Sequence, residues 1–223
     1  WLMDAADPSF FVSQPSFGYI RFIMTKLIAH RGLRVKGVKE NSVEAIRKAL
    51  ENINYVGFEC DVRTSKDGEF VVVHDPVWQG NIVSVSNVYD LQGVTLLKDV
   101  LRLKSDKIFL LEIKEVRIDT LKLVKKIVKS GKKVYLMSFY NKVIQKIPKS
   151  DSYKLGVLNY VLNSESDYEE YDFICLLESV VTRELVDFFH QKKMDVFLYG
   201  IHHFEKTRQE YADCYLITDE VVL

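Results

Sequence analysis

From residue 26 onward, short unbroken apolar runs alternate with stretches whose apolar residues return every three or four positions. The runs at 26–29, 56–62, 108–113, 134–138, 155–158, 173–177, 196–199 and 214–218 read as strands. Ile108-Phe109-Leu110-Leu111 is apolar throughout, as a parallel strand covered on both faces must be. The stretches at 42–51, 96–103, 120–129, 142–147 and 182–192 read as helices, with Ser42 placed to start one and Gly131 to stop another. Eight strands alternating with helices predict an α/β fold, a TIM (β/α)8 barrel. A Rossmann-like open sheet is the runner-up, but no GxGxxG follows the first strand.

One irregularity adds to this plan. Thr64-Ser65-Lys66-Asp67-Gly68-Glu69 is a turn signal, and Phe70-Val71-Val72-Val73 follows it directly. So short a connection predicts a β-hairpin extension after strand 2 rather than a further barrel strand. Residues 76–93 then read as a loop or small insertion at the mouth.

Composition narrows the function classes. The 223 residues hold 31 Lys+Arg against 31 Asp+Glu, and this zero net charge argues against nucleic acid or an anionic membrane surface as partner. No run approaches the roughly 20 apolar residues of a membrane span, so no stable membrane insertion is expected. Cys60, Cys175 and Cys214 are odd in number and show no CxxC spacing, which fits a reducing, cytoplasmic setting. Residues 1–23 lack the pattern of a signal peptide and read as a leader, disordered or non-native, ahead of one barrel over 24–223. Oligomeric state is not readable.

Chemistry collects where the strands stop. His30, Glu59, Asp61 and Glu112 fall at the ends of strands one, two and three, the end at which a barrel carries its functional groups. Glu59 and Asp61 are two apart and share a face, with Cys60 on the other. Carboxylates so placed repel and desolvate one another unless a cation joins them. With Glu112 they offer the oxygen donors of a hard divalent cation, Mg²⁺ or Ca²⁺. The competing reading is a structural ion network with Arg31 or Lys114. His30 and His74 can move protons near neutral pH. Arg31 and Lys114 supply positive charge for a phosphate.

His30-Arg31-Gly32, Glu40-Asn41-Ser42, Glu59-Cys60-Asp61-Val62, Thr64-Ser65-Lys66-Asp67-Gly68 leading to Val72-Val73-His74-Asp75, and Leu111-Glu112-Ile113-Lys114 together resemble the glycerophosphodiester phosphodiesterase family. Ser138-Phe139 and the stretch from Ala212 to Asp219 are weaker echoes. The resemblance implies a TIM barrel that hydrolyses a small-molecule glycerophosphodiester to glycerol 3-phosphate and an alcohol with a bound divalent cation. It implies Glu59, Asp61 and Glu112 as metal ligands, His30 and His74 as the acid–base pair, and Arg31 and Lys114 on the phosphate. It further implies that a glycerol hydroxyl attacks the phosphorus, giving a cyclic phosphate that water opens. A sphingomyelinase-D-like lyase, another phosphodiesterase, and a non-catalytic barrel binding phosphorylated ligands are the alternatives.

The chain also departs from the family. Lys39 replaces a proline, Ser42 a threonine, and Tyr199-Gly200-Ile201-His202 stands where Trp-Thr-Val-Asn is usual. The segment between Asp75 and Glu112 is short, so the lid that sets the leaving group is expected to be reduced. Tyr199 can still offer an aromatic face to glycerol. His202 and His203 are expected in solvent, His190 at the surface or in packing, and Cys175 and Cys214 in the core. The lysines of residues 122–133 read as a solvated helix face. Trp78 fits a pocket wall and a loop anchor equally, and no role follows for Thr218-Asp219.

Overall fold

The computed structural model describes residues 25–160, 168 and 170–222. The expected leader, residues 1–23, lies outside them. In chain order the elements are β1 (Lys26–Ala29), α1 (Val43–Glu51), β2 (Tyr55–Thr64), β3 (Phe70–Val72), β4 (Val77–Trp78), β5 (Asn81–Ile82), β6 (Thr95–Leu96), α2 (Leu97–Val100) and β7 (Ile108–Ile113). There follow α3 (Thr120–Ser130), β8 (Val134–Met137), α4 (Asn141–Ile144), β9 (Tyr153–Asn159), β10 (Phe173–Leu177), α5 (Arg183–Gln191), β11 (Asp195–Tyr199), α6 (Phe204–Glu210) and β12 (Tyr215–Thr218).

Eight strands close on themselves in the order β1-β2-β7-β8-β9-β10-β11-β12, and every neighbouring pair is parallel. This is the expected TIM-type barrel. Its interior holds Ile28, Ile108, Leu110, Tyr135, Met137, Leu158, Phe173, Cys175, Phe197 and Ile217. Phe173 and Phe197 pack at 5.1 Å between centroids and Phe197 stacks on Tyr215 at 4.3 Å, so aromatics plug the end where the strands begin. Gly156 makes room for this plug, since a Cβ there would lie 2.5 Å from the Phe173 ring. A larger apolar layer, including Phe58, Cys60, Leu111, Leu136 and Leu198, fills the space between barrel and helices.

The hairpin expected after the second strand is present: β3 pairs antiparallel with β2, from Thr64 opposite Phe70 to Val62 opposite Val72, and β6 adds to its far side. The insertion beyond it carries the small β4–β5 ribbon and its own apolar cluster of Val71, Val73, Val83 and Leu91.

Helices start at side-chain caps where the sequence supplies them. Ser42 Oγ accepts from Ala45 N at 3.1 Å, Asp119 Oδ1 from Lys122 N at 2.9 Å, and Thr182 Oγ1 from Leu185 N at 3.3 Å. Two helices are shorter than their patterns. α2 starts one residue late because Leu96 pairs into β6 and gives way to turn after Val100, and α4 has no side-chain cap and gives way to turn before Pro148. α6 was not apparent in the sequence: Phe204, Thr207 and Tyr211 form its packed stripe, and a threonine hides the apolar period. Among the described residues no helix is long and apolar enough to cross a membrane.

Candidate active site

The His30-Arg31-Gly32 turn builds one side of the barrel mouth. His30 N donates to Thr218 O at 3.0 Å, extending the ladder one residue past β1, and Gly32 N closes back on Ala29 O at 3.1 Å. Gly32 has φ 82°, and a Cβ there would stand 2.7 Å from the backbone of Ala45. Only glycine fits so close to α1. Arg31 and Asn41 both have φ 55°, and Asn41 N donates to Arg31 O at 2.9 Å, so this turn and the Glu40-Asn41-Ser42 helix start are one interlocked unit.

Three carboxylates gather inside that frame. Glu59 and Asp61 project inward from β2, and Glu112 on β7 pairs in register with Asp61. One oxygen of each lies within 4.8 Å of the others, and the residues are 2%, 1% and 8% exposed. Asp61 Oδ2 accepts from Asn41 Nδ2 at 2.8 Å and lies 3.4 Å from Arg31 Nε, while Lys114 Nζ is 3.7 Å from Oδ1. Lys114 also grips Glu112 at 2.6 Å. Glu59 Oε2 accepts from Arg31 N at 3.0 Å, yet its Oε1 is buried with no hydrogen-bond partner. Burial, then the charges of Asp61 and Glu112, push the Glu59 carboxyl well above its ordinary value. Burial also raises Glu112, with Lys114 opposing. Arg31 and Lys114 thus take part of the charge, as an ion network would, and an unmet acceptor remains on Glu59. Three carboxylates with a spare buried oxygen fit a hard divalent cation.

The two histidines flank this group. His30 Nδ1 is 2.7 Å from Asp219 Oδ1, and its Nε2 is 3.9 Å from Glu59 Oε2. His74 reaches the mouth because β3 runs back down beside β2, where Val73 N donates to Asp61 O at 3.0 Å. Its carbonyl accepts from Arg63 Nε at 2.9 Å and Nη2 at 2.7 Å, and its Nδ1 is 2.7 Å from Asp75 Oδ1. The His74 hydrogen bond holds the Asp75 carboxyl below its usual range. Both rings thus carry a carboxylate on Nδ1.

A cavity of about 440 Å³ opens above the acids, lined by His30, Arg31, His74, Glu112, Lys114 and Tyr199 among others. Glu59 faces a smaller void of about 50 Å³ beneath. One wall is aromatic: Phe139 stacks on Tyr160 at 4.4 Å, and Tyr199 meets both edge-on at 6.0 and 6.3 Å.

The sequence model described as Glycerophosphoryl diester phosphodiesterase family matches residues 30–164, more than half of the chain. The chain belongs to this family. A curated glycerophosphodiester phosphodiesterase of Caldanaerobacter subterraneus subsp. tengcongensis is 47% identical over 51 residues, 23% of this chain and only 20% of that protein. Among solved structures, a glycerophosphodiester phosphodiesterase from Thermotoga maritima is 29% identical, with a TM-score of 0.73 over 88% of this chain and 95% of that one. One from Parabacteroides distasonis has a TM-score of 0.74 at 21% identity, covering 88% and 93%. An Oleispira antarctica phosphodiesterase, solved with its product sn-glycerol-3-phosphate, has a TM-score of 0.68 at 15% identity, covering 89% and 94%. At that distance the likeness concerns the fold.

The seven residues that the resemblance implies, and Tyr199 from the altered wall, all come together at this mouth. Asn41, Asp75 and Asp219 each stand in one of the motifs, yet the sequence assigns them no role, because their hydrogen bonds to Asp61, His74 and His30 are products of the fold. Phe139 and Tyr160 were likewise unassigned, the only signal being that both follow strands. His202 lines the cavity while remaining exposed. His190 lies 3.3 Å from Asp213 at the surface. Trp78 is an anchor: its Nε1 donates to Gln92 O at 2.9 Å, and it lines a groove behind His74 rather than the main cavity. Lys39, in place of the family's proline, sits 3.4 Å over the Trp78 ring centroid. Cys60, Cys175 and Cys214 are buried free thiols.

Proposed function

We propose that residues 24–223 form one cytoplasmic catalytic barrel. It hydrolyses glycerophosphodiesters to glycerol 3-phosphate and an alcohol with a bound divalent cation, Mg²⁺ or Ca²⁺. The observation that carries this reading is the buried triad of Glu59, Asp61 and Glu112, with an unmet Glu59 oxygen, set between two histidines whose Nδ1 atoms are both engaged. Family membership and the product named for the Oleispira antarctica relative support it.

Glu59, Asp61 and Glu112 would hold the cation, which supplies positive charge against the negative charge growing on the phosphoryl oxygens. Arg31 and Lys114 line the cavity and add to that charge from the protein's side. The Nε2 atom of one histidine takes the proton of the attacking hydroxyl, and the Nε2 of the other gives a proton to the departing alcohol oxygen. With the neighbouring glycerol hydroxyl as nucleophile, the first step yields a cyclic phosphate. Water then opens it with the two proton transfers reversed. Tyr199 offers its ring to the glycerol carbons; burial raises its hydroxyl, which stays protonated.

The test is release of glycerol 3-phosphate from a panel of glycerophosphodiesters in the presence of Mg²⁺ or Ca²⁺. His30→Ala and Glu59→Ala are expected to lose at least about 10²-fold in kcat while circular dichroism shows a folded protein. Near wild-type turnover in both variants overturns the assignment. A cyclic phosphate that accumulates instead of opening would mark a sphingomyelinase-D-like lyase. Tight phosphate-ligand binding without turnover would mark a non-catalytic barrel.

A further inference from the structure

Asp219 lies outside the residues that the family model matches, and nothing in the sequence gives it a role. In the fold it follows β12 directly and meets His30 Nδ1 at 2.7 Å, 189 positions away in the chain. The backbone that carries it is tied down. Glu220 N donates to Thr218 Oγ1 at 3.0 Å, Val222 N donates to the Tyr55 hydroxyl at 3.0 Å, and Asn52 Nδ2 donates to Val222 O at 2.8 Å. The Tyr55 hydroxyl in turn donates to Glu220 O. The carboxylate is held from its other side as well, because the Arg34 guanidinium pairs with the same Asp219 Oδ1. Arg34 also donates to Glu40 at 3.1 Å, and Glu40 accepts from Arg31 at 2.8 Å. Arg31, Glu40, Arg34, Asp219 and His30 thus form one continuous polar chain around the rim of the mouth.

A carboxylate accepts hydrogen bonds and does not donate them when ionised. Its ionised form is favoured here: burial works against it, but the His30 hydrogen bond, the charge on a protonated His30 and the Arg34 guanidinium outweigh that and lower the Asp219 carboxyl. An imidazole whose Nδ1 faces such an acceptor keeps its hydrogen on Nδ1 and leaves the Nε2 lone pair free. That Nε2 is the nitrogen directed toward Glu59 and the acid cluster. We infer that Asp219, steadied by Arg34 and by the pinned tail, is the positioning residue that fixes the ring orientation and the Nδ1–H tautomer of His30. The inference rests on the proposed acid–base role of His30. The competing role for Asp219 is simply to neutralise Arg34, and it makes a different prediction for the histidine ring.

Two readouts on the full-length protein in saturating Mg²⁺ separate these roles. Two-dimensional ¹H–¹⁵N spectra of the histidine side chains are recorded at alkaline pH with the rings neutral, and His30→Gln assigns the His30 signals. The wild-type protein is expected to show the hydrogen on Nδ1 of His30, and Asp219→Ala to show a mixture of tautomers. In steady-state kinetics Asp219→Ala is expected to lower kcat on the order of 10²-fold, with KM changed less than twofold and the melting temperature nearly unchanged. A wild-type His30 carrying its hydrogen on Nε2, or an Asp219→Ala variant with unchanged kcat, overturns the positioning role. The wild-type spectrum decides even if the variant fails to fold. Failure of the underlying reading looks different: the wild-type protein turns over no glycerophosphodiester, or His30→Gln keeps full activity.

Discussion

Asp61 is held twice by one side chain. Asn41 Nδ2 donates to Asp61 Oδ2 at 2.8 Å, and Asn41 Oδ1 accepts from Asp61 N at 3.2 Å. Both residues are buried, so the pair fixes which way the carboxylate faces. Removing such a partner typically weakens a metal site 10- to 100-fold. Asn41→Gly keeps the left-handed backbone unstrained while deleting the amide. It is expected to weaken Mg²⁺ or Ca²⁺ binding by roughly 10- to 100-fold in titration calorimetry. An affinity within twofold of wild type would mean that Asn41 does not orient Asp61. The acids themselves were legible in the sequence because they close apolar strands with period two. Asn41 and Asp219 were not, since their partners lie 20 and 189 positions away.

At the scale of elements, strands were easier to read than helices. Each barrel strand is an apolar run, and the expected bounds fall within a few residues of those observed. Helices show themselves through caps and a 3.6-residue period; α6, packed through Thr207 and without a side-chain cap, offered neither. The least legible feature is an irregularity inside β2. Leu27 pairs with Tyr55 but Ile28 pairs with Gly57, so one extra residue is taken up at Val56. Plain alternation would put Tyr55 on the face of Glu59 and Asp61. The bulge instead turns Tyr55 to the outer core, the side that Phe58 and Cys60 share, and leaves the two acids facing inward. Gly57 has no room to give, because a Cβ would stand 2.4 Å from Ile108 O. Gly57→Ala is therefore expected to cost about 1–3 kcal/mol by urea unfolding, and to weaken divalent-ion binding as β7 is pushed away with Glu112. A variant as stable as wild type would show that β2 and β7 can part locally without penalty.

For the molecule as a whole, zero net charge hides a local imbalance. The barrel mouth concentrates three buried acids, and Lys114 and Arg31 meet only part of their charge. Folding without a cation must therefore retain a carboxyl cluster whose Glu59 is pushed toward its neutral form. A ligand that binds only the folded protein adds about 2.7 kcal/mol at a concentration 100 times its Kd. In a chain of this size each kcal/mol moves the midpoint by roughly 2–4 °C. Saturating Mg²⁺ or Ca²⁺ is thus expected to raise the melting temperature by about 5–10 °C. Glu59→Gln removes the least compensated charge of the cluster, and two opposite changes should follow. The variant is expected to melt above the wild type in chelator, because a neutral amide no longer repels Asp61 and Glu112. It is also expected to gain less than about 2 °C from the cation, because it lacks one of three anionic ligands. Equal cation-induced shifts in the two proteins, read by calorimetric melting, would sink the claim that barrel stability and ion binding are coupled through Glu59.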